Sequence, residues 1–218
     1  DKQLEAMAPT DPQKIVGHTQ HRLLVRADQH RQQFWAEGRV PDFLAEPSPR
    51  MRALLEASIL EREGKYAEAD KALAPALEGH PDLKGTCNGL PFDGMRDLDD
   101  LTAGVFEVMA PNGKYYLVPM ESVDRIEFKE VEGKRSTRDL LWRPARLMAR
   151  EGPEGDVFLP AIYAGSHRLP EEGYALGRMS NWVQAAEGAP YRGQGQRMLL
   201  VGDHEIPFLE LKEIVFAK

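Results

Sequence analysis

The sequence predicts an α+β fold in which an N-terminal helical region, residues 1–84, precedes an antiparallel β-rich domain, residues 85–218. Apolar residues recur at the three- and four-residue spacing of amphipathic helices as far as Leu77. Between Gly79 and Asn88 this spacing gives way to short apolar runs separated by turn residues. The connections between those runs are so short that neighbouring strands can pair only in the antiparallel sense.

The first full helix is predicted from Pro12 to about Glu37. Thr10 and Asp11 are residue types that cap helix N-termini, and proline suits the first helical position. Gly38 can end the helix because glycine accepts a left-handed conformation. The apolar face of this helix is formed by Val16, Leu23, Leu24, Ala27, Phe34 and Trp35.

The residues before this helix suggest a longer parent protein. The chain begins at Asp1 without an initiating methionine. Leu4 and Met7 have the spacing expected at the end of an amphipathic helix. We therefore expect the earlier turns of that helix to have been lost by processing or truncation.

A proline-rich connector, residues 41–49, separates the first helix from a predicted helix pair. Ser48 caps the next helix, Gly64 ends it, and a second helix follows. The run from residue 53 to residue 81 resembles a tetratricopeptide unit, apart from Pro75, which should kink the second helix. Because such pairs need stacked neighbours, we interpret the apolar face of this pair as core, with a peptide groove as the alternative.

Three β-hairpins are predicted in the second half of the chain. Asparagine and glycine tolerate positive φ, so Pro111-Asn112-Gly113 is a strong hairpin signal between two apolar runs. Pro119 lacks the N–H that a sheet ladder needs and should end the second of these runs. The last run, residues 210–216, fits either a strand or a short helix. The predicted pairs join residues 105–109 to 115–118, 145–150 to 157–163, and 198–201 to 205–208.

Composition and charge argue against several classes of function. The chain carries 28 Lys and Arg against 35 Asp and Glu, and its net charge of −7 disfavours nucleic acid and anionic membranes as partners. No apolar run is long enough to span a membrane, and no signal-peptide pattern opens the chain. Cys87 is the only cysteine, which excludes a disulfide framework and favours a reducing cytosolic compartment.

Two groups of residues could suggest a metal site. His18 and His21 lie three residues apart on the first helix, but a third ligand is missing from that face. Asp97, Asp99 and Asp100 form an acidic run that lacks the glycine and the terminal glutamate of a calcium-binding loop. We therefore interpret the acidic run as a solvated turn and expect no metal.

Catalytic and cofactor motifs are equally weak. Ser166 and His167 are neighbours in sequence but lie outside any nucleophile-elbow motif. The segment at residues 193–195 mimics half of a nucleotide-binding fingerprint yet precedes a strand, so we interpret it as a tight turn. Cys87, alone in a turn, is interpreted as inert. We expect a noncatalytic protein without a cofactor.

Two stretches of the chain carry a resemblance to a known family. GKYYLVPMESV, residues 113–123, and RDLLWRPARL, residues 138–147, resemble the ImpE/TagJ family, accessory proteins of bacterial type VI secretion systems. The resemblance extends to residues 159–163, 181–182, 193–198 and 205–207, and it covers most of the chain from about residue 41 onward. It indicates membership of a family and does not by itself assign any site residue.

The resemblance implies a noncatalytic adaptor in the bacterial cytoplasm. The partners it implies are the small sheath subunit, bound through that subunit's N-terminal helix, and the AAA+ ATPase ClpV, which disassembles contracted sheath. Apolar residues beside the connector are predicted to bind the partner helix. The competing explanation is that these residues pack the helical region against the β-rich domain. These predicted partner-binding residues are Phe34, Trp35, Phe43 and Leu44.

The residues leave two other functions open. One is an enzyme whose site is assembled from dispersed residues around Tyr115, Tyr116, Trp142 and Arg143. A buried cluster of titratable groups in a deep pocket would favour that enzyme. The other is a generic helical-repeat scaffold unrelated to secretion. Trp142 itself is predicted to be a core residue, because Pro144 favours an extended chain before it.

Overall fold

The computed structural model describes residue 6 and residues 12–130 and 141–217. In this part of the chain the helices are largely N-terminal and the strands largely C-terminal. The helices are α1 (Pro12–Glu37), α2 (Pro49–Arg62), α3 (Tyr66–Glu78) and the short α4 (Glu172–Ala175). The strands are β1 (Lys84–Cys87), β2 (Leu90–Asp93), β3 (Met95–Asp97), β4 (Val105–Met109), β5 (Tyr115–Pro119), β6 (Val123–Phe128), β7 (Trp142–Ala149), β8 (Glu154–Pro160), β9 (Ser180–Val183), β10 (Arg192–Gly195), β11 (Met198–Val201), β12 (His204–Pro207) and β13 (Glu213–Phe216).

Eight strands form one antiparallel sheet in the order β2-β1-β13-β6-β7-β8-β4-β5. A second sheet joins β12, β11 and β3, and a third joins β9 and β10. The last strand, β13, pairs with β1 on one side and β6 on the other. The run at residues 210–216, which sequence left undecided, therefore ends in a strand because two neighbours take up its backbone polar groups.

The three predicted hairpins are confirmed. β4 pairs with β5, β7 with β8, and β11 with β12, each in the antiparallel sense. In the first of these turns Gly113 has φ +83°, and the side-chain oxygen of Asn112 accepts a hydrogen bond from the N–H of Lys114 at 3.0 Å. Pro119 is the last residue of β5. Local turn chemistry was sufficient to predict these pairs.

The predicted helix ends are confirmed where the structure describes them. The N–H of Met51 donates to the Ser48 hydroxyl at 3.2 Å, which caps α2. Gly38 follows α1 with φ +81°. Four residues invoked for the N-terminal segment lie outside the described residues: Leu4, Met7, Thr10 and Asp11.

The predicted fold class, α+β with a tetratricopeptide-like helical region followed by an antiparallel β-rich domain, is wrong. The fold is mixed α/β, because α1 lies against β4 and β5 as well as against α2, rather than stacking on the helix pair as a further repeat. The apolar side chains of β4 and β5 that face the helices and the apolar helix faces bury one another. The shared cluster contains Leu24, Ala27, Phe34, Met51, Leu54, Ala57, Leu73 and Ala76 from the helices, and Val105, Met109, Tyr115 and Leu117 from the strands.

The opposite face of the sheet packs on a second hydrophobic cluster. Alternate residues of the same strands point there, including Phe106 and Val108 of β4 and Val118 of β5. Among the described residues, no helix combines the length and the apolar character needed to cross a membrane. Strands begin at Lys84. The division into domains at residue 84 stays a prediction.

Candidate functional site

The connector after α1 is held against the free edge of the main sheet. The N–H of Asp42 donates to the Tyr115 carbonyl at 2.8 Å, and the N–H of Leu117 donates to the Asp42 carbonyl at 3.3 Å. This parallel bridge covers part of β5, the edge strand. Lys114 Nζ adds a contact of 2.8 Å to the Asp42 carboxylate. The path of the chain up to residue 42 is therefore fixed by the sheet.

A groove of about 400 Å³ opens where the connector leaves β5. One wall is the connector itself, residues 43–48, and the other includes Leu117 and Pro119 of β5. The turn between β7 and β8, residues 149–152, closes one end. We call this space the connector groove. Its size falls within the range of natural ligand sites.

Leu44 is the most prominent apolar residue of this surface. It is 38% exposed and lines the connector groove. It also lines a neighbouring cavity of about 200 Å³, together with Tyr116, Val118 and Val157. Leu44 thus forms a ridge between two apolar depressions, a shape that fits side chains projecting from one face of a helix.

Charges of both signs surround the connector groove. Arg50 forms an ion pair with Glu121, and both residues lie close to the groove. Arg150 and Glu151 come from the turn between β7 and β8. Charged groups at the rim of a binding surface select among ligands more than they add affinity. A mixed rim around an apolar floor suits an amphipathic ligand.

The structure brings together two of the four predicted partner-binding residues. Phe43, half-buried, and Leu44 line the connector groove. Phe34 is only 2% exposed and belongs to the core shared by helices and sheet. Trp35 is half-buried, donates from Nε1 to a carboxylate oxygen of Glu107 at 2.8 Å, and lies 4.8 Å beneath the guanidinium of Arg192. That the four residues bind a partner together stays a prediction.

A buried carboxylate, Glu107, holds α1 on the sheet. Arg31 of α1 donates to both of its oxygens, at 2.8 and 3.0 Å. Arg197 donates at 2.9 Å, and the hydroxyl of Tyr115 donates at 2.6 Å. Glu107 is 1% exposed. The protein itself therefore supplies the hydrogen-bond donors and the positive charges that this buried carboxylate needs.

The network continues through Arg197 into the smaller sheets. Arg197 donates to Asp97 at 2.6 and 3.0 Å, and the hydroxyl of Tyr163 donates to Asp97 at 2.9 Å. Asp99 accepts from the backbone N–H of Gly193 at 2.9 Å and from Arg192 at 2.9 Å. The network therefore connects α1, the main sheet and β10.

The interpretation of the acidic run as a solvated turn is wrong. Asp97 and Asp99 are almost fully buried, and they are neutralised by Arg197 and Arg192, which lie about a hundred residues further along the chain. Arg192 also pairs with Glu61 of α2. Sequence reasoning missed these partners because nothing local connects them. One available signal was Glu107 itself, a charged residue in the middle of an apolar strand, VFEVM.

Electrostatics keep the centre of this network ionised. Burial alone would raise the pKa of Glu107, but Arg31 and Arg197 outweigh it and lower the pKa to about 2. Burial and the Glu107 charge raise the pKa of Tyr115 well above its ordinary value, so its hydroxyl remains a donor. These groups hold one another in place and are closed to a ligand in this structure.

The residues considered for an enzyme do not converge. Tyr115 belongs to the Glu107 network, whereas Tyr116 lines the smaller cavity. Arg143 is buried and donates to the carbonyls of Leu209 and Leu211, at 2.7 and 2.9 Å. Trp142 is half-buried and packs against the helix-facing cluster. Tyr115 and Trp142 thus adjoin the same cluster, whereas Tyr116 and Arg143 lie elsewhere, and the four residues do not form one site.

The remaining sequence candidates occupy structural positions. The described part of the chain holds no group of three or more His, Cys, Asp or Glu side chains suited to a metal ion. The Ser166 hydroxyl donates to the Tyr163 carbonyl and accepts from the N–H of Gly195. The tight turn predicted at residues 193–195 is wrong, because these residues belong to β10. Burial raises the pKa of Cys87 to about 11.

Comparison with known proteins gives three likenesses. A family profile described as "ImpE protein" matches residues 89–215. The type VI secretion system accessory component TagJ of Pseudomonas aeruginosa is 28% identical over 98% of this chain and 73% of its own length. The crystal structure of protein VPA1032 from Vibrio parahaemolyticus superposes with a TM-score of 0.88 at 27% identity, covering all of this chain and 79% of the other.

Proposed function

The chain belongs to the ImpE family, and from that premise we propose that it acts as a noncatalytic accessory protein of a type VI secretion system. The likeness to TagJ over nearly the whole chain supports this role. An accessory protein of such a system works through protein partners, and its site should therefore be a surface able to receive a protein segment. We place its site of action in the bacterial cytoplasm.

We propose further that the connector groove binds the N-terminal helix of the small sheath subunit. The observation that carries this proposal is the ridge of Leu44 between two apolar depressions. A helix that presents apolar residues at i, i+3 or i+4, and i+7 has the shape to straddle such a ridge. By holding the sheath subunit, the protein would link sheath to its disassembly by ClpV.

The proposal is tested with a fluorescently labelled peptide from the N-terminal helix of the small sheath subunit. We expect saturable binding by fluorescence anisotropy. Leu44→Glu should weaken binding at least tenfold, because it places a charge on the apolar ridge; tenfold corresponds to about 1.4 kcal/mol. Phe34→Ala is unsuitable, since Phe34 is 2% exposed and its loss would damage the core.

The matched control is Leu90→Glu. Leu90 is 67% exposed and lies in β2, at the opposite edge of the main sheet from β5. The Leu90→Glu variant should bind the peptide with the same affinity as the parent protein. Equal binding by the Leu44 variant would move the site elsewhere, and absence of binding by the parent protein would remove the sheath-binding proposal for this chain.

A further inference from the structure

His30 of α1 contacts the segment that follows this helix at two places. Its Nε2 atom lies 2.9 Å from the carbonyl oxygen of Val40. Its Nδ1 atom lies 3.8 Å from Oδ2 of Asp42, which is within the range of an ion pair. The residue is 6% exposed, and its ring packs edge-on against Tyr115 of β5, with 5.8 Å between the ring centroids. One buried imidazole therefore faces two acceptors on the segment that leads into the connector groove.

A neutral imidazole cannot donate to both of these acceptors. It carries one N–H group, whereas the protonated ring carries two. Because a carbonyl oxygen only accepts, Nε2 carries the hydrogen in the neutral form, and the lone pair of Nδ1 then faces the Asp42 carboxylate. Protonation places an N–H group and a positive charge on that side of the ring. The contact between His30 and Asp42 is therefore attractive in the protonated form and unfavourable in the neutral form.

Asp42 is also the residue that attaches the connector to the main sheet. Its N–H and its carbonyl form the parallel bridge to β5. Its carboxylate has a different neighbour at each oxygen, since Lys114 contacts Oδ1 and His30 faces Oδ2. The wall of the connector groove, residues 43–48, begins at the next residue. A firmer hold on Asp42 therefore fixes the position of this wall.

Other charged and titratable groups surround His30. The three cations among them are exposed, so water and salt screen their repulsion of a protonated ring. The hydroxyl of the tyrosine donates to Glu107 and remains a donor. Asp42, whose side chain is 26% exposed, is the acidic group that the ring faces directly. The surrounding groups are Arg26 of α1, Arg39 and Asp42 of the segment after α1, Lys114 of the turn between β4 and β5, and Tyr115 of β5.

We propose that His30 positions the connector in a protonation-dependent way, by pairing with Asp42 when its ring is charged. Histidine is the side chain whose charge ordinarily changes between about pH 5 and pH 8, so the connector should be held more firmly at the lower end of this range. A preformed groove wall lowers the cost of ordering the site, and a ligand should therefore bind more tightly there. The effect on ligand binding rests on the proposed function of the connector groove, whereas the pairing itself does not.

Amide hydrogen exchange measured by NMR tests the pairing directly. The N–H groups of Asp42 and Leu117 form the bridge and are released when the connector leaves β5. We expect their protection, corrected for the intrinsic exchange rate at each pH, to be about fivefold greater near pH 5.5 than near pH 7.5. The N–H of Phe128, which donates to the Lys212 carbonyl at 2.8 Å, is the internal reference for changes in global stability.

Four variants separate this pairing from the effects of other charges. His30→Gln keeps a donor for the Val40 carbonyl, and Asp42→Asn keeps the backbone bridge; both should remove the pH dependence. His204→Gln, at an exposed position in β12, and Lys114→Gln, which spares the contact at Oδ2, should retain it. Protection of the two bridge amides that does not change with pH in the parent protein would overturn the proposal. So would an unaltered pH dependence in His30→Gln.

The sheath peptide provides a separate measurement. The parent protein should bind it more tightly near pH 5.5 than near pH 7.5, by up to the same factor of about five. His30→Gln should lose this difference, and the comparison removes any contribution from titrating groups of the peptide. Equal pH dependence of binding by both proteins would overturn the effect on the groove. Amide protection that depends on pH, without peptide binding at either pH, would support the pairing and reject the sheath-binding proposal instead.

Discussion

Glu107 joins α1 to the sheet through hydrogen bonds from Arg31 and Trp35. Oε1 of its carboxylate accepts hydrogen bonds from Arg31, Trp35 and Tyr115. Oε2 accepts hydrogen bonds from Arg31 and Arg197. We expect Glu107→Gln to reduce the free energy of unfolding by about 3–5 kcal/mol, because it leaves buried arginines without their counter-charge. Urea denaturation measures this loss. Glu187→Gln, at an exposed position, should change stability by no more than about 0.5 kcal/mol.

The same carboxylate should make stability depend on acid pH. Its pKa in the folded protein is about 2, below the ordinary 4.5, so its contribution is present above pH 4.5 and is lost as pH falls toward 2. The stability difference between the parent protein and Glu107→Gln should therefore shrink by about 2 kcal/mol from pH 6 to pH 3. Burial raises the pKa values of Asp97 and Glu61, which act in the opposite direction. The Glu61 contribution cancels in this comparison, whereas that of Asp97 changes with the variant because Asp97 shares Arg197 with Glu107. A stability difference between the two proteins that does not change with pH would contradict the low pKa of Glu107.

The buried network shows why single residues were harder to predict than turns. A capping serine or an Asn-Gly turn acts on neighbours within four residues, so the sequence around it contains the whole cause. Arg31 and Glu107 are 76 residues apart, and Arg197 and Asp97 are 100 apart. Only the tertiary fold brings them together. The position of Glu107 in an apolar strand was enough to suggest a buried charge, but the sequence did not reveal which residues pair with it.

Strand β10 fits closely against the segment after β8. A Cβ atom on Gly193 would lie 2.3 Å from the ring of Tyr163, whose hydroxyl donates to Asp97. We expect Gly193→Ala to destabilise the protein by about 1–3 kcal/mol through this clash. Gly155→Ala in β8 is the control, since nothing lies within 4 Å of its added Cβ atom. Equal stability of the two variants by chemical denaturation would contradict this packing.

Elements were predictable where their cause was local. The hairpins followed from turn residues, and α2 began at its capping Ser48. The strand β13 was ambiguous because only its pairing with β1 and β6 decides its conformation. The segment at residues 193–195 was misread for the same reason, since β9 pairs with it as a strand. Of the candidate site, Phe43 and Leu44 beside the connector were predictable, whereas the depressions around Leu44 required the fold.

The helices and the main sheet share one hydrophobic cluster. Two of the three tryptophans, Trp35 and Trp142, pack against this cluster, so part of the tryptophan fluorescence reports on its integrity. We expect unfolding curves from tryptophan fluorescence and from far-ultraviolet circular dichroism to coincide, because the shared core should be lost in one cooperative step. Two separate transitions would instead support independently folding domains divided near residue 84.

We propose that the surface around Leu44 receives the small sheath subunit. The most direct measurement is photo-crosslinking in cells, with p-benzoylphenylalanine placed at position 44 or at position 90. Both positions are exposed, and they lie at opposite edges of the main sheet. We predict a crosslink to the small sheath subunit from position 44 and none from position 90. A crosslink from position 90 alone, or equal crosslinks from both positions, would contradict sheath binding at the surface around Leu44.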